Sequence, residues 1–347
     1  HNRTGDLTGE YFTPIESYQG NGDDYFNPVA IGNLSDNDKT DNKVSTSFIL
    51  NYKIFKWLRF QQLVSFQYND LKRNQFIPSN AIGTDWLNRL NNYSNEQNSS
   101  GSQLTSRSQL YFTPTLSSAH FISGMLMAEI EQGSSEWTAV QGINGPNSIV
   151  KDPASNPQIG WMGSSQSESR ALGFMGNFNY KYKDRYMSTL NMRVDGSSKF
   201  GSSNRWGLFP SLSFGWRFSE EEWMKRFSFL GDSKLRFSWG ITGKQPGGSY
   251  DRHAIYNTPS GGIASQYIYN QIIVPVQIQL DNLKWQSVSS FNLGIDLSFL
   301  EQRITVTGEI YTKETKDILW RNYKIPLSSG ADRLKWFNGG VMQNQGW

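Results

Sequence analysis

The sequence predicts an all-β protein, an antiparallel transmembrane β-barrel segment of about ten strands. Three observations carry that prediction. Apolar and polar residues alternate with period two along ten segments, giving each one greasy and one polar side. Those segments run to about 10–13 residues, longer than the ~5–6 of ordinary strands and matched to the ~9–11 tilted residues that cross a bilayer. The connections alternate between short and long, as they do when an up-and-down barrel returns every second time to the same rim.

The first pair of strands is 44–54 and 57–69, joined by Phe55-Lys56. In LRFQQLVSFQY, Leu58, Phe60, Val64, Phe66 and Tyr68 share one face and Arg59, Gln61, Ser65 and Gln67 the other. Only Gln62 and Leu63 break the pattern. A long connection, 70–101, leads to 102–113 and, through 114–118, to 119–132. After the long 133–169 come 170–182 and 185–195, separated by Lys183-Asp184. There Tyr186, Leu190, Met192 and Val194 oppose Thr189, Asn191, Arg193 and Asp195.

Gly and Ser in 196–205 supply a reversal, since they tolerate the conformations a tight turn needs. Strand 206–218 follows, with Trp206, Leu208, Pro210, Leu212, Phe214, Trp216 and Phe218 on one face and Ser211, Ser213 and Arg217 on the other. The connection 219–233 is long for its place in the alternation and holds a helical turn in EEEWMKRF. In 234–243, Leu235, Phe237, Trp239 and Ile241 oppose Arg236, Ser238, Gly240 and Thr242. The long 244–288 precedes 289–299 and 303–313, which meet at 300–302, and 314–347 reads as a last long loop. Residues 1–43 read as an irregular lead-in, so the barrel portion is expected over 44–347.

Chemistry is sparse. The chain has 347 residues and no cysteine, which excludes disulfides, thiolate metal sites and cysteine nucleophiles. Its three histidines, His1, His120 and His253, are far apart. A net charge of +3 with no block of like charge points to no nucleic-acid partner. No apolar run is long enough for a membrane helix. The chain starts at His1 with no leader pattern, so a mature chain or an internal fragment is expected. GNGDDY at 20–25 lacks the third glycine of a dinucleotide loop, and GITGK at 240–244 lacks the first glycine and the final Ser or Thr of a phosphate loop. Asp23, Asp24, Asp36, Asp38 and Asp41 lack the spacing of a calcium loop. No catalytic residue, metal site or cofactor is therefore predicted. In the long loops, Trp137, Trp161, Tyr250, Tyr256, Tyr267 and Tyr269 have faces suited to sugar rings, to a partner protein, or to one another.

A longer stretch, YKYKDRYMSTLNMRVDGSSKFGSSNRWGLFPSLSFGWRFSEEEWM, resembles the signature of SusC/RagA-type TonB-dependent outer-membrane transporters. The motif residues are Arg193, Asp195, Gly196, Ser197, Ser198, Phe200 and Gly201, then Asn204, Arg205, Trp206, Gly207, Phe209, Pro210 and Ser211. LRFSWGITGKQ, FNLGIDLSFLEQRITVTGEIYTKETKDIL and NGGVMQNQGW are similar to later elements of that family, in its order. The resemblance implies part of a barrel of about 22 strands filled by an amino-terminal plug. It implies a periplasmic TonB box that engages TonB, a SusD-like surface lipoprotein as lid, and residence in the outer membrane of a Gram-negative, Bacteroidota-like bacterium. The implied activity is import of oligosaccharides or peptides without covalent chemistry. The plug and TonB box are absent from these residues, and ten strands would leave two edges for other strands to close.

On this reading Trp206, Leu212, Phe214, Trp216 and Phe218 meet outer-membrane lipid, with Trp57, Tyr186, Trp206 and Phe218 in the aromatic girdles. Two alternatives belong to other classes: a barrel serving as scaffold or surface receptor in an envelope complex, and a soluble β-sandwich that binds carbohydrate. Strand length, loop alternation and motif order speak against the sandwich.

Overall fold

A strand's backbone N–H and C=O groups are satisfied only by lateral pairing with its neighbours. The computed structural model describes residues 28–82, 92–227, 229–257, 266–267, 270–271, 273–331 and 333–347. After a short helix, α1 (Pro28–Leu34), come β1 (Asp36–Phe55), β2 (Leu58–Ile77), β3 (Tyr93–Phe112), β4 (His120–Ile143) and β5 (Gln158–Tyr182). Six shorter strands follow: β6 (Tyr186–Ser197), β7 (Trp206–Trp216), β8 (Lys234–Lys244), β9 (Gln286–Phe299), β10 (Ile304–Lys316) and β11 (Val341–Gly346). They form one sheet in sequential order, β1 to β11, with the three-residue Thr115–Ser117 pairing β4 at its side.

All ten predicted strands are present, and β11 is an eleventh within the stretch expected to be loop. The first five are much longer than expected. β1 begins at Asp36, inside the predicted lead-in, and most of 70–101 and 133–169 is strand rather than loop. These extensions are rich in Asn, Ser, Gln and Gly, so no apolar alternation marks them. Their strand form rests on the ladder, which any side chain can join.

The chain divides into two compact units. The first comprises His1–Thr46, Phe66–Gln103 and Gly133–Glu168. Buried Asn92 is its knot, at φ 45°, a left-handed conformation that Asn adopts more readily than other non-glycine residues. Its Oδ1 accepts from Ser79 N (2.8 Å) and Ser148 Oγ (3.2 Å). Its Nδ2 donates to Gly145 O (2.9 Å), and its carbonyl accepts from Asn156 Nδ2 (3.2 Å).

The second unit comprises Ser47–Ser65, Leu104–Gln132 and Ser169–Trp347. Here the register sorts side chains into rows. On one face Phe178, Leu190, Leu212, Trp239 and Phe291 stand opposite one another in turn across β5 to β9. On the other, Asn179, Thr189, Ser213, Ser238 and Asn292 do the same. The polar row is hydrogen-bonded at both ends, Thr189 Oγ1 donating to Asn179 Oδ1 (2.8 Å) and Asn292 Nδ2 to Ser238 Oγ (3.4 Å), and in a neighbouring polar row Asn191 Nδ2 donates to Ser211 Oγ (3.1 Å). The apolar row is uncovered, with Leu190, Leu212 and Phe214 all exposed. Small Gly176 and Ala128 open an apolar groove of about 520 Å³ in this face, walled by Leu126, Phe174 and Met192.

The two residues that break the β2 pattern have a physical explanation. Uninterrupted alternation puts Gln62 on the apolar face between Phe60 and Val64. There Gln62 Nε2 donates to Ser106 Oγ (3.0 Å), and Ser108 Oγ donates to Gln62 Oε1 (2.5 Å). The two serines stand between Leu104 and Leu110 on β3, so the three side chains form a polar island that satisfies itself. Thr113 N donates to Trp57 O across the β2–β3 turn end, and Gln62 is five residues beyond Trp57. At ~3.3 Å per residue and ~40° tilt the island lies about 13 Å from that rim, near the middle of a ~25 Å apolar band. Removing both hydroxyls leaves the half-buried Gln62 Oε1 without its donor, while Nε2 keeps Leu63 O (3.1 Å), at a cost of about 1–3 kcal/mol. Ser106→Ala/Ser108→Ala is therefore expected to lower unfolding stability in urea titrations of the lipid-reconstituted protein by that amount. Adding Gln62→Leu should restore most of the loss.

Candidate functional site

The polar face of the second unit carries charge in two places, and both use the same device. Arg193 on β6 donates through Nε to Asp195, two residues along its own strand (2.7 Å). Its Nη2 also reaches Glu129 on β4 (3.3 Å), passing over β5 at Gly173, which pairs with Asp195. A Cβ on Gly173 would stand 2.7 Å from Asp195 Oδ1 and 3.1 Å from Arg193 Nη2, so only glycine leaves the guanidinium room. Arg107 of β3 closes on the same Glu129, which is buried between the two arginines.

Further along, Arg236 on β8 makes a two-pronged pair with Asp296 of β9 (2.7 and 3.1 Å). It extends over Gly294 toward Glu309 of β10 (3.9 Å), and a Cβ on Gly294 would meet Arg236 Nη2 at 3.0 Å. Beside it a pocket of about 330 Å³ is lined by Thr189, Ser213, Lys234, Arg236, Asn292 and Glu309. Fixed ion pairs and rows of hydroxyl and amide groups make this a wetted wall able to hydrogen-bond a polar solute.

The motif residues build a brace. Ser197 N donates to Arg205 O, and Ser198 both accepts from Arg170 N at its Oγ (3.0 Å) and donates its own N–H to Arg170 O (2.9 Å). Phe200 is fully buried against Trp285, with ring centroids 4.8 Å apart, and Trp285 also meets Phe209 edge-on. Gly201 lies close to Asp281 O, and Asn204 N donates back to Gly201 O. Trp206 lies over Gly196, Gly207 lies under the Phe209 ring, Pro210 pairs with Met192, and Ser211 joins the polar row. Between them these residues hold the long 244–285 connection: Lys199 Nζ donates to Pro246 O and Gly247 O (3.3 and 3.1 Å).

That connection is tied in turn to a hairpin of Leu319–Lys324 and Arg333–Asn338 through buried Asp251. Its carboxylate accepts from Lys335 Nζ (2.7 Å), Trp336 Nε1 and Gly248 N (2.8 Å). Burial alone would push this carboxyl up, but the Lys335, Trp336 and Gly248 donors outweigh it and hold the carboxyl below the usual carboxylate range.

At the opposite end of the strands, Tyr186 stacks on Trp216 (6.5 Å), Trp216 meets Phe218 edge-on, and Trp57 stacks on Phe55. Glu221 collects Tyr186 Oη (2.6 Å) and Trp216 Nε1 (3.1 Å), and those two donors, helped by Arg185, hold its carboxyl low. Of the loop aromatics, Trp137 and Trp161 meet at 5.5 Å within the first unit. Tyr250 packs edge-on to His253, and Tyr256 is exposed. Tyr267 is described only as backbone paired with Asn270, and Tyr269 lies outside the described residues. The structure thus does not gather the six into one cluster. Asp36 and Asp41 are occupied by Lys151 and Lys43, and Asp23 and Asp24 lie outside the described residues. The sequence reading missed Glu129, Arg236, Asp251 and Trp285. A glycine in the middle of an alternating strand, as at 173 and 294, was the available signal for the first two.

The family model described as "TonB dependent receptor-like, beta-barrel" matches residues 1–347. Among curated relatives, TonB-dependent receptor P39 of Formosa agariphila is 29% identical over 333 residues, which is 92% of this chain and 30% of that protein. TonB-dependent receptor SusC of Bacteroides thetaiotaomicron is 36% identical over 178 residues, 50% of this chain and 18% of that protein. The chain therefore spans about a third of their length or less. The solved RagAB peptide transporter superposes with a TM-score of 0.78 at 16% identity, over 92% of this chain and 35% of that one, a likeness of fold.

The Asp251 tie carries a pH dependence. A carboxyl held below its unfolded pKa stabilises the fold above that value and loses the contribution as pH falls through the folded pKa. The unfolded value is about 3.9, so the tie should loosen in acid below about pH 4. Hydrogen-exchange protection at 246–253 and 333–338, corrected for the slower intrinsic exchange in acid, is expected to be high at neutral pH and to fall there. Asp251→Asn should show low protection across the whole range.

Proposed function

This chain belongs to the TonB-dependent receptor-like β-barrel family, a receptor and transporter family of the outer membrane, and on that premise we propose that it forms part of the wall of an energised importer. The observation that supports this most is the sorting of the second unit's side chains. One face is apolar and uncovered, as a lipid-facing surface must be; the other is polar, ion-paired and hydroxyl-rich, as suits a water-filled lumen. On this reading Leu212 and Phe214 meet acyl chains, and Trp57, Tyr186, Trp216 and Phe218 mark one interface and Trp206 the other.

The open edges at β1 and β11 would be closed by further strands, because unpaired backbone in hydrocarbon costs several kcal/mol per group. The cargo would be an oligosaccharide or a peptide, taken up with a SusD-like lipoprotein lid and driven by TonB through a plug. The peptide alternative draws support from the RagAB transporter, and the likeness to SusC-type receptors from the SusC relative. No step makes or breaks a covalent bond in the cargo.

Two measurements test this. Arg at mid-membrane on a lipid-facing position costs about 2–4 kcal/mol. Leu212→Arg is thus expected to impair outer-membrane assembly while the neighbouring Ser213→Arg assembles; equal tolerance of both would defeat the face assignment. In cells making the full-length protein, uptake of labelled oligosaccharides or peptides should disappear when TonB is deleted. Assembly without any TonB-dependent uptake would instead favour a scaffold.

A further inference from the structure

The hairpin Leu319–Lys324/Arg333–Asn338 has two faces, and only one is accounted for by the fold. Trp336 and Lys335 turn to Asp251, which anchors the hairpin to the 244–285 connection. Asn338 adds a second tether through Lys284 O (2.9 Å) and Asp317 O (3.0 Å). The opposite face carries Trp320 paired across from Phe337, with Tyr323 stacked on Phe337 at 5.0 Å. Asn322, at φ 55°, interrupts the extended backbone between Arg321 and Tyr323 without shifting the register, and the Tyr323 ring stacks on Phe337. The rings are fixed from below: Phe337 lies over Gly339, where a Cβ would be 2.4 Å from the ring, and Trp320 Nε1 donates to Gly339 O (2.9 Å). Yet Trp320 is 52% exposed, Tyr323 51% and Phe337 39%. An aromatic strip that is held rigid and left open marks an interaction surface rather than a core.

Its surroundings say what would cover it. With Lys335 spent on Asp251, the exposed charges on the hairpin's first strand are Arg321 and Lys324, both basic. An apolar strip of Trp, Phe and Tyr with a basic rim has the anatomy of a protein interface, in which aromatic anchors and arginine carry the energy. A sugar platform fits less well, because one face of Tyr323 and one of Phe337 are spent on each other and the Trp320 N–H is already used. Hydrocarbon fits less well too. β10 runs 13 residues, about 33 Å at ~40° tilt, which already exceeds the ~25 Å apolar band, and the hairpin begins beyond its end.

We propose that the Trp320–Tyr323–Phe337 face is a docking surface for an acidic partner protein outside the membrane. Resting on the function proposed above, that partner is the lid lipoprotein. The test uses the full-length receptor and the lipoprotein encoded beside it, with binding measured in detergent over a range of salt and barrel folding checked by heat-modifiable mobility. Trp320→Ser/Tyr323→Ser is expected to weaken binding at least ten-fold. Arg321→Glu/Lys324→Glu should weaken it at low salt and flatten its salt dependence.

Full affinity in both folded variants overturns the docking surface and leaves the transport reading in place. Failure of the wild-type receptor to bind the lipoprotein overturns the lid partnership, and this inference with it. Loss of oligosaccharide or anionic-vesicle binding in the variants, with lipoprotein binding intact, reassigns the face and overturns the protein-docking proposal.

Discussion

Lateral pairing of the strands is the constraint from which the rest of this structure follows. Once each strand is locked between two neighbours, its side chains alternate strictly between two faces, and a one-residue slip would exchange the faces entirely. The register across β5 to β9 keeps the middle rows of one character: Leu190 beside Leu212, Asn191 beside Ser211. Among the described residues the largest fully buried side chain is a single loop phenylalanine, Phe200. Stability must come from the ladder and from the medium on each side, not from a packed interior.

Glycine is how this sheet adds function to a ladder. Gly173 and Gly294 each remove a Cβ from the path of an arginine, so that Arg193 and Arg236 can bind acids two strands apart along the polar wall. Gly196 and Gly339 do the same for aromatic rings, laying Trp206 and Phe337 flat over neighbouring backbone. A pleated surface has few places where a long side chain can lie across a strand, and a missing Cβ creates one.

What could be read in the sequence divides along the same line. Strands whose faces differ in polarity, such as β6 and β7, were legible almost to the residue. The outer halves of β2 to β5 were not, since a run such as NEQNSSGSQ has the composition of a loop and becomes strand only through pairing that a single sequence does not display. Gln62 and Leu63 looked like errors in a pattern, yet the alternation continues through them and the serines of β3 absorb the consequence. Asp251 and Lys335, 84 positions apart in the chain, meet through loop packing with no local signature at all.

The motif RVDGSSKFG and its continuation illustrate why a family can be recognisable while its cargo is not. Nearly every residue in it serves the architecture. Ser197 and Ser198 close the turn, Phe200 fills a deep apolar site, Gly201 lets Asp281 approach, and Lys199 ties down two carbonyls of the next loop. These are demands of bracing a long outer connection on a strand end, and they do not change with the solute that passes. Selectivity would instead be set by groups the brace holds in place but does not include, among them the ion-paired wall around Arg236 and the loop aromatics. Those positions can vary in chemistry as long as the ladder beneath them stays in register.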